Sequence, residues 1–117
     1  MKSNIILEKS YAFAIRIVKL FQYLSSEKKE FVLSKQILRS GTSVGANVEE
    51  AVGGISKKEF RAKMSIAYKE ARETHYWLRL LHDTDILDSK MFISLEKDNT
   101  ELLKILYSII NSSNNNK

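Results

Sequence analysis

The residues of this chain best suited to chemistry lie on one flank of a long predicted helix, from about Ser56 to His82. When this segment is drawn at about 100° per residue, cations alternate with a tyrosine along that flank. We name these residues the basic flank: Lys58, Arg61, Tyr68, Arg72 and Arg79. Guanidinium groups bind phosphates through paired hydrogen bonds, and a tyrosine ring can stack on a base. The basic flank therefore predicts contact with nucleic acid.

A solvated helix face is the alternative interpretation of the same residues. Lys69 and Glu73 are four residues apart and would then form one of its ion pairs. The distribution of charge favours a partner, because residues 57–79 hold seven Lys/Arg and three Glu, whereas residues 83–101 hold six acids and two Lys. The net charge of +5 also tolerates an acidic partner. We expect that partner to be structured RNA or another nucleic acid.

No arrangement of residues in the chain indicates catalysis. His75 and His82 are seven residues apart, so the two imidazoles alone cannot chelate one metal ion. The residues three positions before them are Arg72 and Arg79, whereas a di-iron bundle places Glu there. Gly-rich phosphate loops, nucleophile elbows and HExxH motifs are missing from the sequence. We therefore expect a protein that is not an enzyme and has no cofactor, no metal and no small-molecule substrate.

The other flank of the same helix carries two apolar side chains beside two carboxylates. We name these residues the acidic flank: Ile66, Glu70, Glu73 and Trp77. A helix of an isolated bundle needs only its core-facing side to be apolar. The acidic flank therefore predicts contact with a second copy of the chain. The alternative is that Trp77 folds back over a loop of its own chain.

The N-terminal helix leads to the same expectation, because its apolar residues form two neighbouring stripes. One stripe comprises Leu7, Tyr11, Ala14, Ile15, Val18 and Phe21, and the second comprises Phe13, Ile17, Leu20 and Leu24. Together they cover more than half of the helix circumference, which is more than one layer of neighbours requires. We assign Phe13 and Leu20, with the acidic flank, to an interface between copies of the chain.

Small residues distinguish the helix that precedes these flanks. Gly41 and Gly45 are spaced i,i+4 within an apolar period that runs unbroken from Ile37 to Val52. Glycine costs roughly 1 kcal/mol against alanine inside a helix, so close approach by a neighbouring helix is the expected compensation. A loop at the two glycines is the alternative.

The remaining pattern predicts four amphipathic helices joined by short polar turns. They run from about Asn4 to Ser25, from an N-cap at Ser34 to a left-handed cap at Gly53-Gly54, from a capping box at Ser56 to His82, and from Asp88 or Ser89 to Asn111. Such segments predict an all-α, antiparallel up-down four-helix bundle spanning residues 1–111, followed by a disordered polar tail at 112–117.

The amino-acid composition indicates the cellular compartment of such a bundle. The chain has no Pro, four Gly and no Cys, which favours helices and rules out disulfides and cysteine zinc sites. Its most apolar run, residues 11–24, contains Arg16 and Lys19 and does not read as a membrane span. We expect a cytoplasmic protein that does not enter the membrane.

The segments 38–51, 56–60 and 65–74, together with Trp77-Leu78-Arg79-Leu80-Leu81, resemble a known family. It consists of the four-helix-bundle proteins encoded in intervening sequences of bacterial 23S ribosomal RNA genes. The resemblance covers most of the chain and implies a bundle that assembles as a ring-like homopentamer and has a proposed role in RNA binding. A similar bundle is the accessory variability protein of diversity-generating retroelements, which binds a reverse transcriptase and nucleic acid through a basic surface.

Two functional hypotheses follow from these observations. The first is an oligomeric bundle that binds RNA through the basic flank. The second is a protein-interaction scaffold, such as an adaptor for a reverse transcriptase, that does not touch nucleic acid.

Overall fold

The computed structural model describes the backbone of residues 2–115 and the side chains of residues 5–112. This part of the chain is all-α and forms four helices in a bundle 48 Å long. The helices are α1 (Lys2–Ser26), α2 (Leu33–Val52), α3 (Lys57–Asp83) and α4 (Ser89–Asn115). None of the helices in the described residues is long and apolar enough to cross a membrane.

The helices pack in a closed cycle, in which α1 and α3 each contact both α2 and α4. Their buried residues share one core, which includes Ile17, Val44, Leu78 and Leu106. Because every connection is short, successive helices are neighbours, and α4 returns to close the bundle against α1. The all-α fold with four helices is thus confirmed.

Glycine allows α1 and α2 to approach closely. Gly41 and Gly45 are both buried within α2, as the apolar period predicts. A Cβ on Gly41 would lie 2.7 Å from Ile17 Cγ1, and one on Gly45 would lie 3.2 Å from the carbonyl oxygen of Ser10. The prediction of a close helix contact is confirmed, and the alternative of a loop is wrong.

The prediction of Ser34 as the N-cap of α2 is wrong, because a glutamate outside the helix caps it. Glu30 accepts hydrogen bonds from the amides of Val32, Leu33 and Ser34 at 3.1, 3.0 and 2.7 Å. Burial by itself would raise the pKa of Glu30, but these amide hydrogen bonds outweigh it and hold the pKa below its ordinary value. Ser34 is buried inside the first turn, where its hydroxyl donates to the Glu30 carbonyl.

The turn between α2 and α3 confirms one prediction and corrects another. Ser56 Oγ accepts from the amide of Glu59 at 3.0 Å, and Glu59 Oε1 accepts from the amide of Ile55 at 2.9 Å, so the predicted capping box is present. The left-handed glycine cap is wrong, since Gly53 has φ −83° and no described glycine has positive φ. Lys29 and Asp85, in the other two turns, adopt the left-handed conformation instead.

The two apolar stripes of α1 have the opposite roles to those predicted. Phe13 and Leu20 are only 2% and 3% exposed, because their stripe faces the core of their own subunit. They therefore have no surface to offer a second copy, and their assignment as surplus apolar surface is wrong. The exposed side chains belong to the other stripe, where Tyr11 is 66% exposed and Ile15 is 45% exposed.

The helix α4 extends beyond its predicted end near Asn111 and reaches Asn115. Residues 116–117 of the predicted disordered tail lie outside the described residues. The disorder of that tail therefore stays a prediction.

Candidate nucleic-acid interface

The five residues of the basic flank lie along α3, on the side that borders α4. Lys58, Arg72 and Arg79 are exposed, whereas Arg61 and Tyr68 are half-buried. The helix is continuous from Lys57 to Asp83, so the cations are held at fixed intervals of about 1.5 Å per residue along one axis. Such spacing presents a row of charges to a polyanion.

Among the described side chains, the cations of the basic flank have no counter-ion. Within residues 5–112, no carboxylate lies at ion-pairing distance from Lys58, Arg61, Arg72 or Arg79. The predicted pair between Lys69 and Glu73 does not form either, because the Glu73 carboxylate turns toward α2. The alternative of a flank satisfied by i,i+4 ion pairs is therefore not what the structure shows.

Two of the acids that follow α3 in the sequence pair with cations of α1, whereas Glu96 contacts His75 of α3. Glu101 pairs with Lys9 at 3.2 Å, and Asp98 pairs with Arg16 at 2.7 Å, both across the seam between α4 and α1. These two acids of α4 are thus neutralised by cations of α1, on the side of the bundle where α1 meets α4. Among residues 5–112, the cations of the basic flank belong to the positive charge that stays unpaired.

Tyr68 is not isolated, because a second tyrosine from α4 lies beside it. The ring centroids of Tyr68 and Tyr107 are 6.2 Å apart, with 44° between the ring planes. Tyr68 packs against the core, while Tyr107 is 57% exposed. Sequence reasoning missed Tyr107 because the helix period places it outside the α4 core stripe but does not say which neighbouring helix it borders.

A further aromatic group lies near the end of the basic flank. Tyr76 meets Trp77 edge to face, with ring centroids 4.9 Å apart, and the Arg79 guanidinium lies 5.9 Å from the Tyr76 ring centroid. A cation over an aromatic face is favourable by about 0.5–1 kcal/mol at an exposed site. This contact orients Arg79 without removing its charge.

The acidic flank is tied to its own subunit. Arg39 of α2 bridges Glu70, at 3.2 Å, and Glu73. Trp77 Nε1 donates to Glu73 Oε2 at 3.0 Å. The Arg39 hydrogen bond, followed by that from Trp77, holds the pKa of Glu73 below its ordinary value against the opposing effect of burial. Of the four acidic-flank residues, Ile66 stays exposed at 39%.

Both histidines occupy edge positions next to α4. His75 Nε2 lies 3.0 Å from Glu96, and His82 Nε2 lies 3.0 Å from the Ser89 hydroxyl while its ring stacks on Phe92. The described residues contain no group of three or more His, Cys, Asp or Glu that could hold a metal ion. Both imidazoles thus make polar contacts at the border between α3 and α4.

One apolar surface lies on the opposite side of the bundle from the basic flank. The exposed stripe of α1 borders a shallow groove against α2, floored by the small residues Ala14, Gly45 and Ala46 and edged by Tyr11. Val18 and Ile15 extend the apolar surface along α1. Sequence reasoning found this stripe but chose Phe13 and Leu20 of the other stripe for the interface.

Comparison with known proteins places the chain in a family. The sequence profile described as 23S rRNA-intervening sequence protein matches residues 2–108. A crystal structure of a protein with unknown function from the S23 ribosomal protein family of Bacteroides thetaiotaomicron VPI-5482 superposes with a TM-score of 0.93. It is 51% identical in sequence, over 95% of this chain and 99% of that one. A search of curated proteins finds no match. Profile and structure agree that this chain belongs to the 23S rRNA-intervening sequence protein family.

Proposed function

We propose that this protein is a non-enzymatic bundle that binds structured RNA through the basic flank of α3. The observation that carries the proposal is the row of α3 cations that have no carboxylate at ion-pairing distance within residues 5–112. Arg72 and Arg79 are exposed, and toward the start of the helix Lys58 is exposed and Arg61 half-buried. When these cations contact RNA phosphates, they would release the counter-ions that the phosphates hold.

Salt dependence tests this function. We expect the affinity for a structured RNA to fall steeply as salt rises from about 50 to 200 mM, with a log–log slope that increases with the number of phosphates contacted. Fluorescence anisotropy of a labelled RNA measures the slope. Affinity that does not change with salt, or no binding at 50 mM salt, would exclude the proposal.

The bundle that presents this flank is proposed to be antiparallel and up-down. The sequence in which residues pair along neighbouring helices supports this arrangement. Between α1 and α4, Lys9 pairs with Glu101 and Arg16 with Asp98. Between α2 and α3, Glu50 pairs with Lys63, whereas the earlier Arg39 pairs with the later Glu70. In both pairs of helices, rising numbers on one helix meet falling numbers on the other.

We also propose that the protein is cytoplasmic and assembles as a ring-like homo-oligomer. The family resemblance implies that this oligomer is a pentamer. The exposed apolar stripe of α1, with Tyr11, Ile15 and Val18, supports assembly, because such a stripe is costly to leave in water. A solution mass from light scattering tests assembly. A monomer at micromolar concentration would end this part of the proposal.

A protein-interaction adaptor is the second candidate function, and exposed apolar side chains in two turns favour it. Ile55, between α2 and α3, is 96% exposed, and Phe31 and Val32, between α1 and α2, are also exposed. An adaptor that does not touch nucleic acid would capture its protein partner equally well after charge reversal at Arg72 and Arg79. RNA binding would not survive that change.

A further inference from the structure

The seam between α3 and α4 carries two tyrosines whose surroundings differ from those of an ordinary exposed ring. Tyr68 is anchored against the core, and Tyr107 stands beside it from the neighbouring helix, more than half exposed. Their planes are inclined at 44°, so the pair forms an open V with a centroid separation of 6.2 Å. One ring is thus held in place, and the other presents free aromatic surface.

We propose that this tyrosine pair receives an unpaired base of the bound RNA. The preferred partner is then an RNA with a loop, bulge or single-stranded end, and a continuous duplex is a poorer ligand. The inference rests on the proposed RNA-binding function and adds to it the class of RNA and two residues of α4, Tyr107 and Lys104.

Stacking chemistry supports the choice of an unpaired base. Every base has a π-face that an aromatic side chain can cover, and proteins read unpaired RNA largely by such stacking. In an A-form duplex the base faces are covered by their neighbours, so a tyrosine on a convex helix surface cannot reach them. The free face of Tyr107 therefore has a partner only where the RNA leaves a base unstacked.

The hydroxyl groups of the two tyrosines are also available for hydrogen bonds to RNA. Among the side chains that the structure describes, no group forms a hydrogen bond with the hydroxyl of Tyr68 or Tyr107. A phenolic hydroxyl both donates and accepts, so it can bond a phosphate oxygen or a ribose 2′-hydroxyl beside the stacked base.

Cations flank the tyrosine pair on both helices. Arg72 lies one turn after Tyr68 on α3, and Lys104 lies one turn before Tyr107 on α4. Both are exposed, and neither has a carboxylate at ion-pairing distance within residues 5–112. Tyr68 meets Tyr107, and Ala71 meets Asn99, so Arg72 and Lys104 both lie toward the same end of the tyrosine pair. A nucleotide stacked on the pair would have two cations for the phosphate on that side.

The carboxylates of α4 are directed to other partners. Glu96 contacts His75, and Asp98 and Glu101 pair with cations of α1. The nearest acids along α4 are therefore in contact with His75 or turned toward the seam between α4 and α1. The tyrosine pair is left in a locally positive environment.

The experiment compares two labelled RNAs with equal numbers of phosphates, a hairpin with a seven-nucleotide loop and a blunt duplex, against three proteins. These are the wild type, Tyr107→Ala and Tyr107→Phe. We expect the wild type to prefer the hairpin, and Tyr107→Ala to lose about tenfold in hairpin affinity while keeping its duplex affinity. Tyr107→Phe keeps the ring and should stay within about twofold of the wild type.

A direct readout accompanies the affinities. A 2-aminopurine placed in the loop should lose fluorescence when it stacks on the wild-type protein and should recover it with Tyr107→Ala. Circular dichroism checks that the variant remains helical, which is expected because Tyr107 is largely exposed.

The outcomes separate the two proposals. Equal binding of hairpin and duplex, unchanged by Tyr107→Ala, overturns the base-stacking inference and leaves RNA binding through the basic flank intact. Failure of the wild type to bind either RNA at low salt overturns the proposed function and the inference with it. Equal loss of both RNAs in Tyr107→Ala also contradicts the inference, because base stacking cannot affect a duplex.

Discussion

The two flanks of α3 look alike as patterns of charged and aromatic residues, yet they differ in how the rest of the bundle treats them. On the side of α2, Arg39 reaches across to bind Glu70 and Glu73, and Trp77 donates to the same carboxylate. On the side of α4, Arg72 and Arg79 meet no carboxylate among residues 5–112. One flank is closed within the subunit, and the other is left open.

This difference teaches that a mixed face on a helix is informative only together with the face opposite it. Glu70 and Glu73 lie opposite an arginine of α2, so their charge closes a seam between helices. Arg72 follows Ala71, whose carbonyl accepts from Asn99 of α4, and no carboxylate among residues 5–112 lies at ion-pairing distance from it. Charged residues therefore join two helices on one flank, and on the other flank they have the binding role that we propose.

The largest expected effect concerns the polar group that joins α3 to α4 inside the core. Asn99 is fully buried, and its Nδ2 donates to the Ala71 carbonyl at 3.0 Å. We expect Asn99→Asp to destabilise the protein by about 3 kcal/mol or more at neutral pH, because a buried carboxylate would face that carbonyl without a cation. Chemical denaturation monitored by circular dichroism measures the change.

The pH dependence identifies the cause of that loss. A carboxyl at this position would have a raised folded-state pKa, so the penalty is absent below the unfolded aspartate pKa of about 3.9 and grows as pH rises above it. Asn99→Leu is the matched control, and it should cost about 1 kcal/mol, because it loses the single hydrogen bond from Nδ2 while Oδ1 has no partner to lose. A leucine variant as unstable as the aspartate variant would show that shape, and not charge, is decisive here.

The second effect tests the open flank through binding. We expect Arg72→Glu with Arg79→Glu to weaken RNA binding by about 100-fold at low salt, roughly 2.7 kcal/mol, and to leave the free energy of unfolding nearly unchanged. The physical reason is that two exposed phosphate contacts become repulsive, while no intramolecular ion pair is lost. Anisotropy and denaturation on the same preparations measure both quantities.

The control makes the same change in net charge on another part of the surface. Lys28 and Lys35 are exposed and unpaired among the described residues, so Lys28→Glu with Lys35→Glu alters overall charge equally. If this variant loses as much RNA affinity as the arginine pair, total charge governs binding, and the assignment to the basic flank fails.

Helix positions could be predicted from sequence because they depend on local periodicity and on caps close in the chain. Ser56 and Glu59 are three residues apart, and the close approach at Gly41 and Gly45 follows from missing side chains. The core side of α1 could not be predicted in the same way. Phe13 and Tyr11 lie on two apolar stripes of similar strength, and only the positions of α2 and α4 decide between them.

The candidate site was predictable to the same extent. The basic flank lies on one helix, so the period of α3 alone brings Arg61, Tyr68 and Arg72 to one side. Tyr107 belongs to a helix about forty residues further along the chain, and its contact with Tyr68 depends on the register of two packed helices. The prediction of the α2 N-cap failed for a similar reason, because Glu30, which lies before the predicted helix, caps it in place of the expected serine.

The smallest expected effect belongs to the closed flank. Arg39→Gln should cost only about 0.5–1 kcal/mol, because Arg39 and Glu73 are both partly exposed and exposed pairs contribute little. RNA affinity should stay within about twofold of the wild type, since the removed cation is already neutralised. Denaturation and anisotropy together test the contrast with the open flank, and a large loss of RNA affinity would contradict it.

Acid titration isolates the Glu73 contribution. Its folded-state pKa is lowered, first by the Arg39 hydrogen bond, so its stabilisation is complete above the ordinary glutamate pKa and is lost as pH falls through the lower folded-state pKa. We expect Arg39→Gln to reduce the loss of stability as pH falls. Lys69 lies on the same helix as Glu73 but forms no ion pair among the described residues, so Lys69→Gln should leave that loss unchanged. Because Glu73 also accepts from Trp77, the only tryptophan in the chain, indole fluorescence should follow the same titration. An indole signal unaffected by Arg39→Gln would mean that the arginine and the indole do not share one carboxylate in solution, and the α2 side of α3 would then be as open as the α4 side.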